Sequence, residues 1–379
     1  MQDPSSVLVL VNDAYLPETG TNGVGASIFV GEHYAEMRNI PASNILHLNI
    51  PYAGWQSDGQ WHGMEYDANQ FLSYADYLTY IQNPVNKYLE ENGLSGTILY
   101  IVTTYGIPVM LGDTVWRESI DSLLSIMNSG VAPEAGWLPN LYQDPTATGS
   151  PAHFAQWINP NGYKMYLVTR LDGPNATIAA SLVDKAILAE ETLTPSSGIG
   201  YFDFVGYPAS NTSYYPLDQT MLNAYSTAVD FGIPAVLNDQ SHTGHPIEAG
   251  PNPAWVWGWY IPSITNTYST PVTGAVGSQA TSYTCNSLRD GGLPGDSNWC
   301  AYFLLNGFTA TWGATGEPYT IGIATGDSLF GHLWRGYNFA ESSYLANPFN
   351  NWMMVFIGDP LYSPRRFSII RRSPLRPER

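Results

Sequence analysis

Val7-Leu-Val-Leu-Val11 is a short β-branched and apolar run that stops abruptly at Asn12-Asp13, and the chain repeats this figure many times. Ile45 to Ile50 and Thr97 to Thr103 are built the same way, with helical stretches at about Gly25 to Arg38 and ending near Gly93. An apolar run without strict alternation is the mark of a strand buried on both faces. Such strands alternating with helices imply βαβ units and a parallel sheet. The pattern restarts after a Pro/Gly/Asn-rich stretch at 139–162. Strands are expected at Tyr163 to Thr169, Gly200 to Val205, Trp255 to Tyr260, Gly274 to Thr281, Ala310 to Ala314 and Met354 to Ile357, with helices at 177–192, Pro216 to Phe231 and about 299–307. The fold class is therefore α/β, with two parallel-sheet lobes at 1–162 and 163–364 and a basic tail at 365–379.

Composition narrows the partners. The chain of 379 residues carries a net charge of −18, and six of its 14 basic residues are arginines in the last fifteen positions. Without that segment eight basic residues face 31 acidic ones, a body charge of −23. Such a body repels phosphates, so nucleic acid is not an expected partner. The tail, at +5, is either a solvated end or a contact to an acidic surface of its own or a second copy, which would give a homo-oligomer. No run approaches the length of a membrane span. Met1 to Ser6 leads straight into the first strand without the pattern of a secretion signal, as in a mature chain whose signal is gone.

Open parallel sheets bind ligands beyond the carboxyl ends of their strands. Those ends carry Thr104 and Tyr105 in the first lobe, and Arg170, Asp172, Trp259, Tyr260, Thr281, Ser282 and Glu317 in the second. Arg170 suits two roles: a bidentate grip on a ligand carboxylate, or a salt bridge to Asp172, Asp203 or Glu317. Trp255, Trp257 and Trp259 share one strand face by period two, which makes them core, although Trp259 at the strand end could also stack on a sugar or peptide. His242-Thr-Gly-His245, with Asp239 nearby, reads first as a surface loop; it could hold a metal or supply a base to Cys285 or Ser282. Cys285 and Cys300 allow a local disulfide, two buried thiols, or a catalytic Cys285. No phosphate or dinucleotide loop is present, so no cofactor and no metal is assigned.

Three segments carry a further signal: Gly-Ala-Val-Gly-Ser-Gln-Ala-Thr-Ser at 274–282, Asn-Gly-Phe-Thr-Ala-Thr-Trp-Gly-Ala-Thr-Gly-Glu-Pro at 306–318, and Phe-Ile-Gly-Asp-Pro-Leu-Tyr at 356–362. In order and wording they resemble the caspase-like cysteine peptidases of the gingipain type, closest to a secreted bacterial branch without the usual Cys/His dyad. The resemblance covers about half the chain, mainly Tyr163 to Pro364. It implies a two-lobed fold and a secreted or periplasmic protein. It also implies a His at one strand end, in a Gly-His-Gly run, and a Cys at the next. Here the first run reads Trp257-Gly258-Trp259-Tyr260, with an indole where a base should stand, and the second ends Ala280-Thr281-Ser282. Indole has no nitrogen that titrates near neutral pH. The expected function is therefore a binding, surface or assembly protein of unknown peptide or glycan ligand. The rival is a hydrolase using Cys285 or Ser282 with His242 or His245.

Overall fold

A computed structural model describes residues 3–51, 55–57, 65–67, 70–144, 165–239, 250–259, 268–289, 297–365 and 367–368. His242, His245 and Tyr260, and all of the basic tail but Arg365, Phe367 and Ser368, lie outside these residues.

Ten strands form one mostly parallel sheet: β1 (Val7–Asn12), β2 (Ile45–Leu48), β3 (Tyr100–Thr104), β4 (Leu167–Leu171), β5 (Ile199–Phe204), β6 (Ala235–Asp239), β7 (Pro253–Gly258), β8 (Val276–Gln279), β9 (Ala310–Ala314) and β10 (Met354–Ile357). Their spatial order is β6-β5-β7-β8-β9-β10-β4-β3-β1-β2. Most interior strands are buried along their whole length, as their unbroken apolar runs require. Helices α1 (Ala26–Arg38), α2 (Asn83–Glu91), α3 (Ile120–Ser125), α4 (Ala176–Thr192), α5 (Tyr215–Asp230), α6 (Trp299–Leu305), α7 (Gly326–Trp334) and α8 (Phe339–Ala346) flank it. Among the described residues, no helix is long and apolar enough to cross a membrane.

Every neighbouring pair in the sheet is parallel except β9 and β10, which run antiparallel with Thr311 opposite Ile357 and Ala314 opposite Met354. This seam divides the sheet into halves that point in opposite directions. The carboxyl ends of β1, β3 and β4 therefore lie along one edge, and those of β5, β7, β8 and β9 along the other.

Alternation along β7 explains how the second half is filled. Trp255 packs edge-on against Phe330 and Trp334 of α7, and Trp257 stacks on Trp312 while its indole N–H donates to Thr220 of α5. The opposite face takes α6: the bare Cα of Gly277 lets Phe303 and Phe308 approach, where a Cβ would stand 3.0 and 2.9 Å from their rings. In the first half, Gly31 of α1 meets Val11 more closely still, where a Cβ would stand 2.2 Å from Val11 Cγ1. Arg38 at the end of α1 then bonds Asp359 after β10 and Glu190 of α4, tying two helices to the turn that closes the last strand.

Lys185 of α4 reaches the carbonyls that follow α6, donating to Phe308 O at 2.9 Å. Burial lowers its pKa to about 8, against an opposing pull from Asp184. Because the folded value lies below the ordinary 10.5, the stability linked to this group is present at high pH. It is lost as pH falls from about 10.5 through about 8. Urea midpoints of a Lys185→Met chain are expected to vary less than the parent's between these pH values. Parallel profiles would contradict the assignment.

Candidate functional site

At the edge where β3 and β4 end, the predicted residues form a closed charge network. Arg170 is fully buried and all five of its N–H groups are used: Nε and Nη2 on Asp121 at 2.9 and 2.8 Å, Nη1 on Asp172 at 2.8 Å, and one each on the carbonyls of Ile107 and Pro108. No donor remains for a ligand. Of the carboxylates expected as partners, Asp172 is present; Asp203 and Glu317 are replaced by Asp121, from α3. The other oxygen of Asp172 accepts from Arg289, whose guanidinium lies 3.6 Å from the centre of the Tyr105 ring. Tyr105 is buried and donates to Glu18, and Thr104 is buried and donates to Leu10 O. These four predicted site residues hold the half-sheet together. A cavity of about 410 Å³ opens beside them, lined by Asn12, Ile50, Phe71, Gly106 and Pro108 among others.

At the opposite edge, where the resemblance places the chemistry, the arrangement differs. Trp259 is buried against Tyr207 and Tyr214, with ring centres 5.8 Å away in both cases. Its place is therefore in an aromatic cluster, and Tyr214 is the exposed member. Thr281 is buried; its N–H turns back to Gln279 O. The Ser282 hydroxyl donates to the exposed carboxylate of Glu317 at 2.6 Å, and Glu317 also accepts from Tyr319 N. Cys285 and Cys300 form a disulfide, both fully buried, with Cα atoms 5.4 Å apart. In that state Cys285 offers no thiolate. The disulfide fills the space above Gly313 of β9, where a Cβ would stand 2.9 Å from either sulfur.

The two edges are physically connected. Tyr283 N donates to Gly316 O at one edge, Cys285 N to Ala314 O, and Arg289 meets Asp172 at the other. The segment 283–289 thus runs back across the sheet, clamped midway by the disulfide.

Two site residues escaped the sequence reading as functional groups. Asp203 of β5 is fully buried and accepts from Asn238 Nδ2 at 3.1 Å and Tyr268 OH at 3.3 Å. Gln279 ends β8 and is also buried. The signal that could have found them is position alone, as polar residues at or beside the last residue of otherwise apolar strands. Among the described residues, no group of three His, Cys, Asp or Glu is placed to hold a metal ion.

Two solved structures are similar to this one. The complex of Porphyromonas gingivalis RgpB pro- and mature domains is 10% identical, with 95% of this chain and 80% of that one covered and a TM-score of 0.48. A structure described as that of a protease is 10% identical, with 97% and 80% covered and a TM-score of 0.46. No protein-family model and no curated protein matches the chain. These two are likenesses in the course of the chain, and the residue roles above rest on this protein's own geometry.

Proposed function

We propose that the chain is a secreted, gingipain-like protein that acts by binding, at a surface or in an assembly, and does not cleave peptides. The carrying observation is the state of Cys285, whose sulfur is joined to Cys300 in a fully buried disulfide. A nucleophile needs a free, deprotonated thiol beside a base. The neighbouring positions support the same reading. The Ser282 hydroxyl is engaged by a carboxylate, and Trp259 packs its indole into an aromatic cluster. A buried disulfide also suits an oxidising compartment such as the cell exterior.

Fluorogenic peptides with Arg, Lys or Asp before the scissile bond, incubated with the whole chain, should show no turnover above buffer. Turnover that disappears in Cys285→Ala or Ser282→Ala would overturn the reading and restore the hydrolase.

A further inference from the structure

Strand order reverses at β1. From β1 the chain passes through α1 to β2 on one side, and β3 later pairs with β1 on the other. In open α/β sheets the crevice beyond the carboxyl ends of two such strands is where ligands bind. The cavity of about 410 Å³ lies there, lined by Asn12 at the end of β1 and by Gly106 and Pro108 just past β3. Asn12 shapes it without being free to read a ligand: its amide donates to Gly106 O and accepts from the N–H groups of Ala14 and Ile50. A second wall is Phe71–Leu72, a two-residue strand paired in parallel with Met110–Leu111. Gln70, just before it, is buried and fixed to Val109, Ser287 and Leu288. The lining also includes Tyr80, in a π-helical turn at Leu78–Gln82. Such turns are rare and recur at functional sites.

We propose that this crevice binds a primary amine carried on a ring-sized apolar body, with the ammonium at Asp76 and Asp113 and the body against Phe71, Leu72 and Pro108. Charge decides the class. Of the described residues that line the cavity, only Asp76 and Asp113 are charged, and both are acidic. They are neighbours because both hold the start of the helix Tyr74–Tyr77. Asp76 Oδ2 accepts from Ser73 Oγ at 2.8 Å, and Asp113 accepts from Tyr74 N–H at 3.0 and 3.1 Å. Among the described residues neither is ion-paired, whereas Asp121 and Asp172 nearby are held by arginines. Each therefore keeps lone pairs for a donor from outside. An ammonium brings three N–H donors and no acceptor, which suits two groups that only accept. An anion would be repelled, and a neutral molecule would leave the pair uncompensated. A bare divalent ion would leave the apolar wall unused, and among the described residues no third carboxylate or imidazole completes a metal site. The volume is that of a small-ligand pocket, and an apolar wall with a few convergent polar groups is the usual composition of one. The net charge of −18 also concentrates cations around the molecule. Trp259, Ser282 and Cys285 do not line the crevice, so the proposal stands whether or not the chain cleaves peptides.

The test is calorimetric titration of the whole chain with phenethylamine, which should bind saturably with Kd below about 1 mM. Four comparators separate charge from shape. Phenethyl alcohol has the body without the charge, phenylacetate has the opposite charge, and ethylamine and calcium chloride have charge without the body. Each should bind at least about tenfold more weakly. Affinity for phenethylamine should also fall between about 20 mM and about 300 mM salt, as the carboxylates are screened. Asp76→Asn and Asp113→Asn remove charge while their amide oxygens can still accept from Ser73 Oγ and Tyr74 N–H. Each should weaken binding about fivefold or more with a urea midpoint near the parent's. Should either variant fail to fold, the comparator series on the parent decides alone. The site is overturned if phenethylamine does not saturate, if any comparator matches it, or if both folded variants bind as the parent does. Peptide turnover in the preceding assay would remove the proposed function and leave this site untouched, whereas failure of the amine removes only the site.

Discussion

An Arg170→Met chain should lose about 3–5 kcal/mol of stability, enough to leave many domains unfolded at ordinary temperature. The reason is asymmetric. Asp172 would keep its contact with Arg289, but among the described residues Asp121 would be left with only the Thr103 hydroxyl. A carboxylate stranded inside a protein is penalised by several kcal/mol. Neutralising it should therefore recover part of the loss: Arg170→Met with Asp121→Asn is expected to be more stable than Arg170→Met alone. Urea unfolding of the three chains measures this. A ligand-gripping Arg170 predicts the opposite pattern, with an unchanged midpoint in the single variant and no coupling to Asp121.

Replacing both cysteines, Cys285→Ala with Cys300→Ala, should cost about 3 kcal/mol, the chain-entropy value for a closed loop of this size. The mechanism predicts a second observable. Without the cross-link the unfolded chain expands, so the urea m-value should rise as the midpoint falls. Dithiothreitol should bring the parent to the same curve and leave the double variant unmoved. A double variant with the parent's midpoint and slope would show that the bond adds nothing to the fold.

The sequence made the strands legible because each is a short apolar run with a hard stop. Ala310–Ala314 and Met354–Ile357 lie where expected, and α1, α4 and α5 begin and end within about a residue of the expected limits. What escaped were features that no local window contains. Strand direction is one: Met354–Ile357 reads equally well as parallel or antiparallel, and only its pairing with Thr311–Ala314 reverses it. The partner of Arg170 is another, since Asp121 lies 49 positions away on a helix of six residues too short to stand out. β6 was missed because Ala-Val-Leu-Asn-Asp is short and lies at the sheet edge, and α7 and α8 because both are buried on every side, which erases the amphipathic stripe. The binding candidates divided for a similar reason. Arg170, Asp172 and Trp259 were visible as unusual residues at strand ends, but whether such a group is spent or open depends on side chains brought in from elsewhere. Gln279 drew no notice because a glutamine at a strand end is ordinary until burial makes it expensive.

The position of β10 has a consequence for how the chain can be made. The strand that joins the two halves of the sheet is the last of the ten along the sequence, inserted between β9 and β4. Until residues 354–357 have emerged from the ribosome, β9 and β4 each present an unpaired strand edge in the middle of what will be the interior. Such edges recruit other chains. Pairings this distant in sequence also form slowly, after the loop-closure entropy has been overcome. A nascent or truncated chain ending before Met354 is thus two sheets in search of an edge, exposed to aggregation for nearly the whole of synthesis. Completion of the fold is a single late event at the centre of the molecule.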